Sequence, residues 1–326
     1  MKNKKIIIEL DDNKIKKVLK IKDVINTVEE GFRKKGLGLV NLTPKMGPKL
    51  NIVGAFADSM PASVFDYPEG RVPGPCLQVF GIKWLSAFPD NLKIGLPYLN
   101  SLIILNEPKS GLPIAILKGN WITAIRTAGV SAVCAKHLAP KKKEITIGIF
   151  GLGVQAYIHV LAFKSIFKNP RFVLFDHDKQ FLTNFLKKLP KEKFKTTKNF
   201  HEVVQSADII LSATTFPPAI SPYIYEKDLK NDVLILPLEY GTRIDPKLYK
   251  HLDEIYTDDI PQYEVKSKLK NYFPATRPKI KNEMGDLVAK KYKRGNKPKR
   301  ILVFNLGIAL FDILTAKLYV EKMNDL

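Results

Sequence analysis

The chain has 326 residues, 45% of them hydrophobic and 26% charged, with a formal net charge of +21. That length exceeds the roughly 250 to 300 residues a single core organises, so two domains are expected. No apolar run reaches the roughly 18 residues of a spanning helix, which excludes a membrane span and predicts a cytoplasmic protein. The lysines are spread along the chain, and the dense runs Lys141 to Lys143 and Lys290 to Arg300 carry no interleaved aromatics apart from Tyr292. This is a solvated basic surface, and a nucleic-acid partner is not expected. Cys76 and Cys134 lack metal-ligand spacing, so they read as core thiols and no metal site is expected.

In chain order, Ile6 to Leu10 predicts a strand, and Val24, Ile25, Val28 and Phe32 recur at helical spacing over Val24 to Lys35. From Val40 to Asp90 the chain is irregular and β-like, punctuated by Pro44, Pro48, Pro61, Pro68, Pro73, Pro75 and Pro89. Within it Leu77 to Leu85 predicts a strand whose one charge, Lys83, shares a face with Val79, Gly81 and Leu85. Such a lysine is either an edge-strand guard against mispairing or a functional group. Ser101 to Asn106 and Pro113 to Lys118 predict a hairpin. Trp121 to Leu138 predicts a buried helix, whose Arg126 requires an anionic partner from the protein or from a ligand.

The most informative stretch follows. Ile145 to Phe150 predicts a buried parallel strand, Gly151-Leu152-Gly153-Val154-Gln155-Ala156 a tight glycine turn entering a helix, and Phe172 to Phe175 a second strand ending in Asp176. The first glycine permits the turn, the second lets backbone approach a pyrophosphate, and the helix N-terminus supplies N–H donors. An acid ~20 residues beyond the turn is placed to accept a ribose hydroxyl and to repel a 2′-phosphate, so NAD is predicted over NADP. Helices near Lys179 to Leu189 and Phe200 to Ser206 and strands near Phe194, at Asp208 to Thr215 and at Val233 to Leu238 continue the alternation. Ser212, Ala213 and Thr214 then fall at the carboxyl edge of an open α/β sheet, where ligands bind. A last strand, Ile301 to Phe304, precedes a helix from about Leu306 to Met323.

These residues resemble the ornithine cyclodeaminase and mu-crystallin family, which includes archaeal alanine dehydrogenases and ketimine reductases. The resemblance rests on GIKW at Gly81 to Trp84, LIILNEPKSGLPIAIL, WITAIRTAGVSAVCAKHLA, GLGVQA and the late GIALFDILTAKLYVEKM, in family order. It implies an α/β fold in which a Rossmann-type dinucleotide-binding domain, residues 123 to 305, is inserted into an α+β substrate and dimerisation domain, residues 1 to 122 plus 306 to 326. It implies a homodimer and hydride transfer between NAD and the α-carbon of an amino acid or its imine. Lys83 is similar to the family's active-site lysine and Arg126 to its carboxylate-gripping arginine; Thr127 would border the cofactor with Gly151, Gly153, Val154, Gln155, Asp176, Ser212, Ala213 and Thr214. Lys45 stands where the family usually has a second arginine, keeping the charge but losing the bidentate fork. Glu239 would replace an aspartate that handles the side-chain amine in ornithine-specific members if the loop here is two residues shorter. The alternative is a mu-crystallin-like protein that binds cofactor and ligand with little turnover.

Overall fold

In the computed structural model the described residues are 6–67, 76–217, 219–292 and 294–324; Pro68, Pro73 and Pro75 lie outside them, as does Lys293 of the basic run. The chain divides into two units. One comprises Met1–Thr127, Val288–Lys290 and Gly307–Leu326, the other Ala128–Leu287 and Lys291–Leu306.

The first unit carries a six-stranded sheet. Its strands are β1 (Ile7–Glu9), β2 (Val40–Leu42), β3 (Phe56–Phe65), β4 (Leu77–Ala87), β5 (Leu99–Asn106) and β6 (Pro113–Lys118), in spatial order β1-β6-β5-β4-β3-β2. The predicted hairpin is the antiparallel pair β5 and β6. Strand β3 was hidden by its proline. Ser59 exchanges both backbone hydrogen bonds with Met46, so Pro61, two residues on, turns its nitrogen to the same outer side, where β2 has already ended at Leu42. A missing N–H costs nothing there. One sheet face, with Val79, Lys83, Leu85, Ile103, Leu105 and Leu117, is buried, helix α9 (Ala309–Asn324) packs on strands β2 to β5, and helix α2 (Ile21–Gly36) packs on α9. The opposite face presents Ile8, Trp84 and Leu102 to solvent. A short helix, α1 (Asp12–Val18), is capped by the Asp11 side chain and was not anticipated from the sequence.

Helix α3 (Asn120–Leu138) runs from the first unit into the second. The second unit is built on an all-parallel sheet of eight strands: β7 (Thr146–Phe150), β8 (Arg171–Phe175), β9 (Phe194–Thr196), β10 (Ile209–Ser212), β11 (Val233–Pro237), β12 (Glu254–Thr257), β13 (Asn282–Glu283) and β14 (Arg300–Phe304). Their order is β13-β12-β14-β11-β10-β7-β8-β9. The chain steps outward from β7 to β9, then crosses back to place β10 on the other side of β7. That reversal is a topological switch point, and in open α/β sheets the ligand crevice lies at the carboxyl ends of the two strands that flank it. Helices α4 (Val154–Ile166), α5 (Lys179–Lys188) and α6 (Phe200–Ser206) fall at the predicted places; α7 (Ile260–Lys266) and α8 (Met284–Ala289) complete the set, and β12 was missed because its four residues carry little pattern. Among the described residues no helix is long and apolar enough to cross a membrane.

Candidate functional site

In the first unit the sequence places a charge in the middle of a buried strand. Strand β4 lies between β3 and β5, so Lys83 is not on an edge, and its side chain is fully buried. The edge-guard reading is therefore wrong, because a guard must sit where a foreign strand could pair. Asp312 of α9 is equally buried, and its Oδ2 lies 2.7 Å from Lys83 Nζ, a close ionic contact off hydrogen-bond direction. Asp312 Oδ1 accepts from Arg126 Nε at 3.0 Å, so the anionic partner that Arg126 requires comes from the protein itself. Thr123, one helical turn before Arg126, has its hydroxyl 3.5 Å from both Lys83 Nζ and Asp312 Oδ1.

With Nε committed to Asp312, the two terminal nitrogens of Arg126 reach the backbone at Gly307. A Cβ added there would meet Nη1 at 3.2 Å, Nη2 at 3.3 Å and Lys45 Nζ at 3.5 Å. Gly307 also has φ of +78°, which side chains other than glycine rarely adopt. A guanidinium fork and an ammonium thus converge on one spot, the arrangement that receives a carboxylate. Lys45 is held by its neighbour Met46, which is bridged to Ser59 of β3. Burial pushes the Lys83 ammonium down to about 7, with Arg126 and Lys45 adding to the effect and Asp312 opposing it. Burial works to raise the Asp312 carboxyl, but Arg126 and Lys83 outweigh it and hold it below the usual range.

In the second unit the glycine turn fits a dinucleotide's pyrophosphate. Gly151 has φ of +78°, and a Cβ there would fall 2.6 Å from the carbonyl oxygen of Ala213, so the turn after β7 is pressed against the end of β10. Above Gly153 there is nothing within 4 Å, and this residue caps α4 without a side-chain hydrogen bond, leaving the helix N-terminus open for phosphate. Val154 beside it is 59% exposed. Asp176 follows β8 directly and accepts from the backbone N–H of Leu152 at 2.7 Å and of Asp178 at 2.9 Å, which fixes its carboxylate beside the glycine turn. Gln155 gives its carbonyl to His159 Nδ1, and Thr127 gives its hydroxyl to the Thr123 carbonyl.

Glu239 follows β11 and is 1% exposed. Its Oε1 accepts from the Ser212 hydroxyl and, at 3.0 Å, from Thr214, with Arg243 Nε 3.9 Å away. Oε2 is buried with no hydrogen-bond partner among the described residues. Burial raises the Glu239 carboxyl, against the donors from Ser212 and Thr214. The structure therefore groups the predicted residues in two sets. Lys45, Lys83 and Arg126 belong to one unit, and Gly151, Gly153, Asp176, Ser212, Ala213, Thr214 and Glu239 to the other. Sequence reasoning missed Asp312, Thr123 and Gly307. The one available signal was Asp312 itself, a lone acid in the apolar run Ile308 to Leu314, which obeys the same rule as Arg126.

Three comparisons bear on this geometry. A solved Δ1-pyrroline-2-carboxylate reductase from Thermococcus litoralis, in complex with NADH and L-proline, is similar over 98% of both chains with a TM-score of 0.80 and 25% identity. A Δ1-pyrroline-2-carboxylate reductase of Bacillus thuringiensis subsp. konkukian is 28% identical over 262 residues, covering 76% of this chain and 78% of its own. The nodulation efficiency protein NfeD of Rhizobium meliloti is 26% identical over 296 residues, 89% of this chain and 86% of its own. The profile of the ornithine cyclodeaminase/mu-crystallin family matches residues 7–325, and the chain belongs to that family.

Proposed function

We propose that this protein is an NAD-dependent oxidoreductase acting at the α-carbon of an amino acid or its imine, working as a cytoplasmic homodimer. The observation that carries the reading is the convergence of partly exposed Lys45 with buried Arg126, itself tied through Asp312 to buried Lys83, in the first unit. A similar reductase holds NADH and L-proline, which supports a small carboxylate ligand bearing a secondary or primary amine. When bound, the nicotinamide supplies or takes the hydride.

The residues of the chain do the rest. Arg126 and Lys45 bind the carboxylate and thereby orient the α-carbon. Lys83 Nζ carries a proton to or from the substrate nitrogen, or, as the neutral amine, takes one from the water that attacks an imine carbon, and its proton affinity near neutrality suits either direction. Gly151, Gly153 and the N-terminus of α4 take the pyrophosphate, and Asp176 takes the adenosine ribose. Ser212, Ala213 and Thr214 border the cofactor at the carboxyl end of β10. The apolar outer face of the first sheet, with Ile8, Trp84 and Leu102, fits burial against a second copy.

A narrower reading rests on Glu239. An unpaired carboxylate oxygen in a buried position costs ~1 to 3 kcal/mol until a donor reaches it. The distal ammonium of a diamino acid is such a donor, and this reading makes ornithine or lysine better substrates than alanine. The test is nicotinamide absorbance with a panel of α-amino acids, diamino acids and cyclic imines, alongside NADH binding by fluorescence. Turnover of one class supports the enzyme, and tight binding of NADH with no turnover of any supports the mu-crystallin-like alternative.

A further inference from the structure

Lys83 and Arg126 are two cations packed with little or no exposure to solvent, and Lys45 adds a third positive charge nearby. Uncompensated, such a cluster would expel a proton or splay its side chains. Asp312 stands between the two, one carboxylate oxygen at 3.0 Å from Arg126 Nε and the other at 2.7 Å from Lys83 Nζ. We propose that Asp312 is a positioning residue of the reaction, which aims the Arg126 fork at the carboxylate subsite and supplies the counter-charge that lets Lys83 hold its proton before substrate arrives. This rests on the functional reading given above, in which Lys83 and Arg126 serve the substrate.

The geometry separates two duties. Because Asp312 occupies Nε, the guanidinium cannot rotate to offer that edge, and Nη1 and Nη2 are the nitrogens left facing Gly307 and Lys45. Because Asp312 also faces Lys83, the charge state of the lysine depends on it. The other groups around Lys83 are Arg126 and Thr123 of α3 and Lys45 of the segment before β3. On the flanking strands its direct neighbours, Met60 and Ile103, are uncharged. Asp58 of β3 lies on the same face but stands opposite Leu85, and Ser101 of β5 does likewise. Among the described residues Asp312 is a carboxylate in direct contact with the lysine. A substrate carboxylate arriving at Arg126 and Lys45 would add a second negative charge and strengthen the hold on the proton at the moment it is needed.

The test is Asp312→Asn, which keeps shape and removes charge, compared with Asp312→Glu, which keeps charge and moves it. In Asp312→Asn the pH limb of kcat assigned to Lys83 should move down by about one unit, a tenfold loss of proton affinity, and KM for a carboxylate substrate should rise about tenfold or more. Asp312→Glu should keep the limb and raise KM. A merely structural role would lower the yield of folded protein and leave both pH limb and KM of the folded fraction where they were, which overturns the proposal. If Asp312→Asn does not fold, Asp312→Glu decides alone: raised KM with the limb retained supports the proposal, and both unchanged overturns it. Titration of 15Nζ-labelled Lys83 by NMR gives a readout free of turnover. A lower midpoint in Asp312→Asn upholds the coupling even if no substrate on the panel reacts, so failure of the enzymatic reading and failure of this proposal are distinguishable.

Discussion

Lys83 Nζ and Asp312 Oδ2 lie 2.7 Å apart with neither side chain exposed, so the middle strand of the first sheet and the C-terminal helix are joined by opposite charges inside an apolar layer. Arg126 joins the same carboxylate from a third element. A buried ion pair is a weak stabiliser, since desolvating both charges offsets most of their attraction, and its retention in a core is better explained by what it holds in place.

Replacing Lys83 by methionine should lower turnover by ~10² or more, the loss typical of removing a positioned acid-base group. NAD affinity should stay within about twofold, because the glycine turn and Asp176 belong to the other unit. Stopped turnover with intact fluorescence binding of NADH is the expected result; full activity would return Lys83 to a structural role. Folded Lys83 binds its proton with a pKa of about 7 against about 10.4 unfolded, so the buried ammonium weakens the fold below pH 7. That penalty fades as pH rises from 7 towards 10, and Lys83→Met should remove this part of the pH dependence.

The cofactor choice should follow Asp176. Its carboxylate is fixed by two backbone N–H groups and would repel a 2′-phosphate, with Asp178 adding charge of the same sign. Titration should give NAD binding at least about tenfold tighter than NADP, and Asp176→Asn should narrow the gap. Tighter NADP binding by the unaltered protein would contradict the assignment.

Glu239→Gln separates two donors for its buried oxygen. With a distal substrate ammonium as donor, the variant should lose about tenfold of its preference for diamino acids over alanine while NAD affinity holds. A weakened NAD affinity with unchanged substrate preference would instead place a cofactor hydroxyl there. Ser212 and Thr214 hydroxyls remain satisfied by the amide oxygen, so folding should change little.

His159 should set part of the acid stability. It is fully buried, takes Ser131 Oγ at 2.9 Å on one ring nitrogen and the Gln155 carbonyl at 2.7 Å on the other, and burial pushes its pKa down to about 4. The unfolded chain therefore binds this proton below about pH 6.5 and the folded one only near pH 4. Stability from this group is full above pH 6.5 and declines as pH falls through 4, by about 3 kcal/mol in total. Urea unfolding of His159→Gln between pH 7 and 4 should show a shallower decline than the unaltered chain.

The sequence by itself determined the nucleotide-binding half. A β-branched strand, a glycine turn, a helix and an acid at the end of the next strand are local signals, each read within a few residues, and parallel strands buried on both faces advertise themselves as apolar runs. The family motifs likewise named Lys83, Arg126 and Lys45. Tertiary structure alone decided what those charges are paired with. Asp312 lies far along the chain from both cations, and no periodicity links α9 to the middle of β4; only the packing of α9 against the sheet brings it there. Gly307 looked like an ordinary helix start, and its role followed from the Arg126 fork that faces it. Strand β3 was illegible because Pro61 forbids a strand in general and permits one where its nitrogen meets an unpaired edge, a condition set by where β2 stops.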